Sequence, residues 1–303
     1  MFLMPSLVLS ERAFLMSKTL KLGFIGAGTV GTALATLLGS KGYQVVSVAS
    51  RSLTSAENLA LQVNDCRASN NNQDVADTAE LIFITTPDDF IGTVASQLKW
   101  HSGQSVIHCS GAASTDILEP ARKSGARVGA FHPLQTLASF KQAIENIPGS
   151  TFAIEAEEPL LSMLKDMASN LDGHWIELKA SDKVVYHAAA VIACNYLVTL
   201  VKLATDLWQT FSVPQDKSVR ALLPLIRGTL HNIDTVGIPQ CLTGPIARGD
   251  MGTIKKHLEA LQEAAPALLP TYMELGRQTI PIALAKGKIN KNQARELEDI
   301  LNI

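Results

Sequence analysis

The stretch that most restricts this chain is LKLGFIGAGTVGTALATLLGS, residues 20–40. An apolar run, LKLGFI, reads as a strand, and TVGTALATLLGS reads as a helix rich in Ala and Leu. Between them lies Gly26-Ala27-Gly28-Thr29-Val30-Gly31, a G-x-G-x-x-G placed where a strand hands over to a helix. Each glycine has a separate job in such a loop: Gly26 for the tight turn, Gly28 for close approach of a pyrophosphate, Gly31 for packing the helix against the sheet. The helix start then offers free N–H groups and its positive dipole end to an anion. The alternative is a glycine turn that holds no nucleotide.

The rest of the first half extends the strand–helix alternation. YQVVSVAS, LIFITT, SVIHCS and RVGAF are short runs too continuously apolar to be half-exposed, as expected of strands covered on both faces. LTSAENLALQVN reads as a helix, and TFAIEA and HWIEL read as late strands flanking the helix EPLLSMLKDMASNL. Residues 64–74, NDCRASNNNQD, read as a polar loop. The alternation predicts an α/β fold, a doubly wound parallel sheet. After about residue 180 strand signals stop. Helices are expected over 182–211, 215–232 and 253–287, the last broken near Pro266 or Pro270, with Asn290 capping a final helix. The expected division is an extension over 1–19, a dinucleotide-binding domain over 20–179 and an all-α domain over 180–303. Residues 1–15 read as a disordered extension or a misplaced start, Met16 being the better opening.

Charge narrows the partners. A net charge of −2 provides no basic field for a phosphate backbone, so no nucleic acid partner is expected. Cys66, Cys109, Cys194 and Cys241 are widely spaced, which reads as reduced thiols in a cytoplasmic protein. The longest apolar run, Ala188–Val201, falls short of the ~18 residues of a spanning segment, so no membrane partner is expected.

The nucleotide type depends on the end of the second strand. An acid there would bind a ribose 2′-OH; this chain has Ala49-Ser50-Arg51-Ser52 instead. An arginine between hydroxyls suits a 2′-phosphate, so the expected cofactor is NADP, with Ser50, Arg51 and Ser52 on its phosphate. Arg51 as a solvated loop residue is the alternative. Thr85, Thr86 and Pro87 end the strand LIFI, where ligands sit in open α/β sheets, and Pro87 could wall the nicotinamide. Asp88 and Asp89 read equally well as turn residues.

Two further strand ends carry polar groups. SVIHCSG brings His108 and Ser110, and RVGAFHPLQT brings His132 before Pro133, hence in extended backbone. His132 is a candidate acid or base, or else a histidine bonded to backbone; His108 reads as a satisfied core histidine. The apolar helix DKVVYHAAAVIACNYL, residues 182–197, keeps Lys183, Tyr186, His187 and Asn195. Lys183 and His187 share a face, and Asn195 lies about 80° round from His187 at ~100° per residue. Such a column could line a substrate cleft between the two domains. The alternative is a solvated lysine with two residues bonded inside a helix bundle. In LTGPIARGDMGT, Thr243 and Arg248 could reach a substrate anion or cap the helix starting near Thr253. No cluster has metal-ligand spacing.

In order, GFIGAGTVGTALA, VASRS, ITTPDD, HCSGAASTDIL, FHPLQT, DKVVYHAAAVIACNYL and LTGPIARGD resemble the bacterial Rossmann-like proteins with a helical C-terminal domain of unknown function, often labelled NADP oxidoreductases without an assigned substrate. The resemblance runs from about residue 20 to the C-terminus. It implies a Rossmann domain followed by an all-α domain of the 6-phosphogluconate dehydrogenase-like type, with homodimerisation through that domain. In the more distant β-hydroxyacid dehydrogenases a lysine and an asparagine at i and i+4 polarise the substrate oxygen; Lys183 matches the first, but position 187 is His. In prephenate dehydrogenases a serine and a His-Pro act together, and Ser110 and His132-Pro133 are similarly placed, though the rest of that pattern is missing. The expected activity is hydride transfer between NADP(H) and a small polar substrate, with His132, Lys183, His187, Asn195 and Ser110 as catalytic candidates. The alternative is a non-catalytic NADP-binding sensor or scaffold.

Overall fold

The computed structural model describes residues 20–302; the extension expected over 1–19 lies outside them. The described chain forms two compact units that divide between Cys194 and Asn195.

The first unit is built on one eight-stranded sheet. Its strands are β1 (Lys21–Ile25), β2 (Gln44–Ala49), β3 (Arg67–Ser69), β4 (Leu81–Ile84), β5 (Ser105–His108), β6 (Arg127–Leu134), β7 (Thr151–Ala156) and β8 (His174–Glu177), in the order β3-β2-β1-β4-β5-β6-β7-β8. The order reverses between β1 and β4, which opens the crevice at the strands' C-terminal ends where ligands bind in such sheets. The helices are α1 (Thr29–Ser40), α2 (Leu53–Ala60), α3 (Asn72–Thr78), α4 (Asp88–Gln97), α5 (Glu119–Lys123), α6 (Phe140–Asn146), α7 (Leu160–Asn170) and α8 (Lys183–Ala190).

The apolar strand runs explain the layering. Successive side chains point to opposite faces, so Leu22 and Phe24 join one core with Leu34 and Leu38 of α1 and Leu160 and Leu164 of α7. Ile25, Ile82 and Ile84 join the other, with Val75 of α3 and Ile91 of α4. A line of rings crosses the first face: Phe24 stacks on Phe83 at 5.0 Å, Phe83 meets Phe131 edge-on at 6.2 Å, and Phe131 stacks on Phe152 at 4.4 Å.

Two expectations about this unit are corrected. The sheet is not wholly parallel, since β6 and β7 pair antiparallel from Gly129↔Ala156 to Leu134↔Thr151; apolar runs reveal strands but carry no direction. Residues 64–74 are not merely loop. They contain β3, and Asn71 starts α3 by accepting from the backbone N–H of Gln73 at 3.1 Å. A polar cap and a three-residue edge strand have no apolar period to betray them.

The second unit is helical. Its helices are α9 (Tyr196–Gln209), α10 (Gln215–Val236), α11 (Pro245–Arg248), α12 (Met251–Ala264), α13 (Leu269–Ala285) and α14 (Lys291–Ile300). Its core draws on α12 to α14 through Ile254, Ile280, Leu297 and Leu301. The break at Pro266 and the Asn290 cap fall where the sequence puts them, Asn290 accepting from Asn292 and Gln293. Residues 242–253 hold the short α11, and Asp250, not Thr243 or Arg248, caps α12 by accepting from Thr253 N–H at 3.0 Å.

Helix Ala180–Gln209 has the length and composition to cross a membrane, although its longest apolar stretch looked too short. Polar residues interrupt that stretch without ending the helix; Val191–Asn195 is a π-helical turn within it. The apolar side chains of this helix are largely exposed, Val185 by 73% and Val198 by 69%. Its charges find partners: Lys183 inside the first unit, and Lys202 with Asp206 at 2.6 Å.

Candidate functional site

At the loop after β1 the three glycines are held to three different demands. Gly26 has φ +114°, and a Cβ there would lie 2.7 Å from the Thr85 carbonyl carbon and 2.9 Å from Thr86 N. Only glycine takes that backbone without strain. A Cβ on Gly31, in the first turn of α1, would lie 2.4 Å from Gly26 O and from Thr85 Oγ1, so helix and loop can close only on glycine. A Cβ on Gly28 would meet nothing within 4 Å. Gly28 therefore leaves open space, and it N-caps α1 with no side-chain bond to the first turn, where Thr29 and Val30 lie. Thr85 fastens the loop, its hydroxyl donating to Gly26 O at 2.7 Å.

Gly26, Ala27, Gly28, Ser50, Arg51, Ser52, Thr85, Thr86 and Pro87 line one groove of about 570 Å³, joined by Ser55, Asn72 and Phe90 among others. Thr29, Val30 and Gly31, at the start of α1, are not among its lining residues. The Arg51 guanidinium sits over the Phe90 ring at 5.3 Å, and Ser52 caps α2 by accepting from Ser55 N–H. The Thr86 hydroxyl is buried without a partner. An orphaned hydroxyl, an open glycine and an uncapped helix start in one groove fit the phosphates and polar groups of a dinucleotide.

A second set of polar groups gathers at the ends of β5 and β6. The Ser110 hydroxyl donates to Asp88 Oδ2 at 2.6 Å and accepts from the N–H groups of Ala112 and Ala113 at 3.3 and 3.0 Å. Its proton is thus committed to Asp88, the first residue of α4. His108 is wholly buried, and its Nδ1 accepts from Ser110 N–H at 3.1 Å. Burial, and then the charge of Lys183, pull its pKa down to about 3, so it is neutral at pH 7. Burial likewise pushes the Cys109 thiol up to about 12, which leaves it protonated and inert.

Lys183 does not stand in a polar column on the helix surface. It is 1% exposed, and its Nζ donates to the Ser110 carbonyl at 3.2 Å and lies 4.0 Å from Glu155 Oε2. Burial holds its pKa below the ordinary lysine value, with Glu155 pulling the other way. Glu155 on β7 also accepts from Thr115 N–H at 3.2 Å and from its hydroxyl at 2.8 Å. A buried ammonium needs such partners, because an isolated charge in the interior is costly.

His132 on β6 meets α8 through Tyr186, with its Nδ1 2.8 Å from the phenol oxygen and the two rings edge to face at 88°. His187 comes to 6.4 Å ring to ring. Gly111 lies between the imidazoles: a Cβ there would be 2.7 Å from His187 Cδ2 and 2.9 Å from His132 Nε2. Burial, then the charges of Lys183 and His187, lower the His132 pKa to about 4, so this imidazole too is neutral at pH 7.

Ser110, His132, Lys183 and His187 are therefore brought together around the Ser110–Gly111 turn. Asn195, which closes the π turn, begins the second unit and is not part of that group. Four further residues contribute that were not among the catalytic candidates. Tyr186, set on a neighbouring face, is three residues from Lys183, a spacing that shares a helix face as well as four does. Asp88 reads equally well as a turn residue, Glu155 is a lone acid in an apolar strand, and Gly111 carries no signal beyond its place at the end of β5.

The fold defines the class: a Rossmann-like α/β domain followed by helices. Residues 9–133 match the model of the Rossmann-like domain, and residues 150–279 match that of a domain of unknown function, DUF2520. The two matches follow one another along the chain, the Rossmann-like domain first and DUF2520 second. In fold it is similar to a Bacteroides fragilis protein provisionally named an NADP oxidoreductase, with 26% identity, a TM-score of 0.68, and coverage of 86% of this chain and 98% of that one. A Thermotoga maritima protein aligns at 23% identity and TM-score 0.63, over 93% of this chain and 98% of its own. A reductive aminase from Aspergillus terreus, solved with NADPH and ethyl-5-oxohexanoate, aligns at 15% identity and TM-score 0.61, over 93% and 92%. No curated protein matches the sequence.

Proposed function

We propose that this protein is an NADP(H)-dependent oxidoreductase acting on a small polar substrate. The observation that carries the reading is the loop after β1, where Gly28 leaves open space beside an uncapped helix start and the orphaned Thr86 hydroxyl. Gly26 to Gly31 would hold the pyrophosphate. Ser50, Arg51 and Ser52 would hold the 2′-phosphate, and Thr85, Thr86 and Pro87 would flank the nicotinamide. When bound, NADP(H) supplies or accepts a hydride. The provisional name of the Bacteroides protein agrees with this, and the shared fold accommodates NADPH in the reductive aminase.

The chain's own residues would do the rest. His132, neutral and hydrogen-bonded at Nδ1, presents Nε2 toward Gly111, where it can hydrogen-bond the substrate oxygen or nitrogen whose charge changes. His187 faces the same glycine. Ser110 and Lys183 act as positioning residues: Lys183 holds the Ser110 carbonyl, and Ser110 ties its turn to Asp88. The commitment of both groups to internal bonds also favours a second reading, a nucleotide-binding sensor without turnover.

Thermal unfolding with NADPH, NADP, NADH and NAD in parallel tests the first step. A ligand at 100 times its dissociation constant adds about 2.7 kcal/mol. The expected result is stabilisation by the phosphorylated pair, abolished by Arg51→Ser. Stabilisation by none of the four would remove the oxidoreductase reading. A His187→Ala variant that binds NADPH normally but loses turnover of a substrate found by screening would set the sensor reading aside.

A further inference from the structure

We infer that Tyr186 is the positioning residue that fixes the tautomer of His132, donating its hydroxyl proton to Nδ1 and so placing the imidazole proton on Nε2, the nitrogen that faces Gly111. The inference rests on the reading above for the use made of that proton, but not for its position.

The geometry allows few alternatives. The bond to His132 Nδ1, at 2.8 Å, is the single side-chain hydrogen bond of Tyr186 among the described residues. If Nδ1 carried the proton and donated to the phenol oxygen, the phenol proton would have no protein acceptor. A phenol O–H is also a stronger donor than an imidazole N–H, and an imidazole sp² nitrogen is a stronger acceptor than a phenol oxygen. Burial favours the neutral form of each partner, with the phenol pushed up to about 12 and His132 held down to about 4, so the bond persists over the whole neutral range.

The scaffold keeps the two groups facing each other. His132 lies in β6, paired with Ala153 of β7, and precedes Pro133, which restricts its backbone to extended conformations. Tyr186 is on α8, and α8 is tied down one turn earlier by the buried Lys183 bonded to Ser110. Lys183, His187, Asp88 and His108 are the other charged or titratable groups coupled to His132. The consequence is a site whose donor at Nε2 is a neutral imidazole with its proton already in place, as a hydrogen-bond donor to a developing negative charge requires.

The test is long-range proton–nitrogen NMR on the full chain labelled with ¹⁵N, without nucleotide or substrate, with His132 assigned by its loss in His132→Asn. The wild type is expected to show an unprotonated, hydrogen-bonded Nδ1 and a protonated Nε2. Tyr186→Phe keeps the ring and removes the donor. It is expected to lower the Nε2–H to Nδ1–H ratio of His132 roughly fivefold, the factor for one neutral hydrogen bond. A protonated Nδ1 in the wild type would overturn the inference even if the variant does not fold, and so would a ratio that Tyr186→Phe leaves unchanged. Because nucleotide is absent, these results are independent of whether NADPH stabilises the protein.

Discussion

Gly111→Ala is the smallest change that probes the arrangement of the two imidazoles. The new methyl carbon would stand 2.7 Å from His187 Cδ2 and 2.9 Å from His132 Nε2. Carbon contacts settle at about 3.5–4.0 Å, so the rings would have to yield by roughly 0.6–1.3 Å. His132 is tied to Tyr186, whereas His187 has no side-chain hydrogen bond among the described residues, so His187 gives way first. Overpacking of this kind costs about 1–3 kcal/mol. Gly111 does not use left-handed backbone, so alanine also returns about 0.4–1 kcal/mol by restricting the unfolded chain. The net expectation is a loss of about 0.5–2 kcal/mol in urea unfolding, with an unchanged denaturant slope. In a His187→Ala background only the contact with His132 remains, 2.9 Å to Nε2, so the same substitution should cost less than in the wild type. Equal effects of Gly111→Ala in both backgrounds would refute the packing argument. With a substrate in hand, a displacement near 1 Å predicts a rate loss of about 10²-fold.

Two further outcomes follow from the same groups and from the helix surface. His132 and His108 bind protons more weakly folded, at about 4 and about 3, than in the unfolded chain, whose ordinary value is about 6.5. Between those values the unfolded state takes up protons that the folded state refuses. Stability is therefore full above about pH 6.5 and falls as pH drops toward 4, by up to roughly 1.4 kcal/mol per unit for each group. Urea titrations at pH 7, 5.5 and 4.5 should show the fall, and His132→Asn should make it shallower, leaving the share of His108; a constant stability over that range would contradict the assignment. The apolar surface of Ala180–Gln209 is proposed to pair with a second copy of the chain, whose identical surface supplies an apolar partner while the Lys202–Asp206 pair stays at a wet rim. Sedimentation equilibrium should give twice the 32.5 kDa chain mass, and Val198→Glu should return it to one; a monomeric wild type would overturn the pairing.

How much of this could be read from the sequence depends on the range of the interaction that decides each element. The β1–α1 loop was legible because the demands on its glycines are local: a left-handed φ at Gly26, and a methyl-free approach at Gly31. The buried strands were legible from runs such as LIFI, and the end of α12 from Pro266. The edge strand β3 was not, since Arg67-Ala68-Ser69 owes its conformation to pairing with Ser47-Val48-Ala49. The direction of β7 was hidden for the same reason. Lys183 is the sharpest case. Helix periodicity gives its azimuth but not its depth, and its buried partners, the Ser110 carbonyl and Glu155, carry no sequence mark of that partnership.

That partnership also explains why an ammonium can sit so close to two buried imidazoles. Lys183 is too enclosed to reach a substrate atom, but its field is not confined. After burial it is the largest influence holding both His108 and His132 below the ordinary histidine range. A cation beneath the Ser110 turn thus resists a second positive charge above it, and the imidazoles stay neutral where burial alone would leave a smaller margin. In the proposed site, lysine and serine, the residues a dehydrogenase-like reading would take as polarising groups, serve a different purpose. They fix the turn on which Gly111 separates His132 from His187, and the lysine adds to burial in keeping His132 neutral. Any chemistry at this turn would be carried by a neutral imidazole whose proton is placed by Tyr186, with the buried ammonium acting only through its field and its bond to the Ser110 carbonyl.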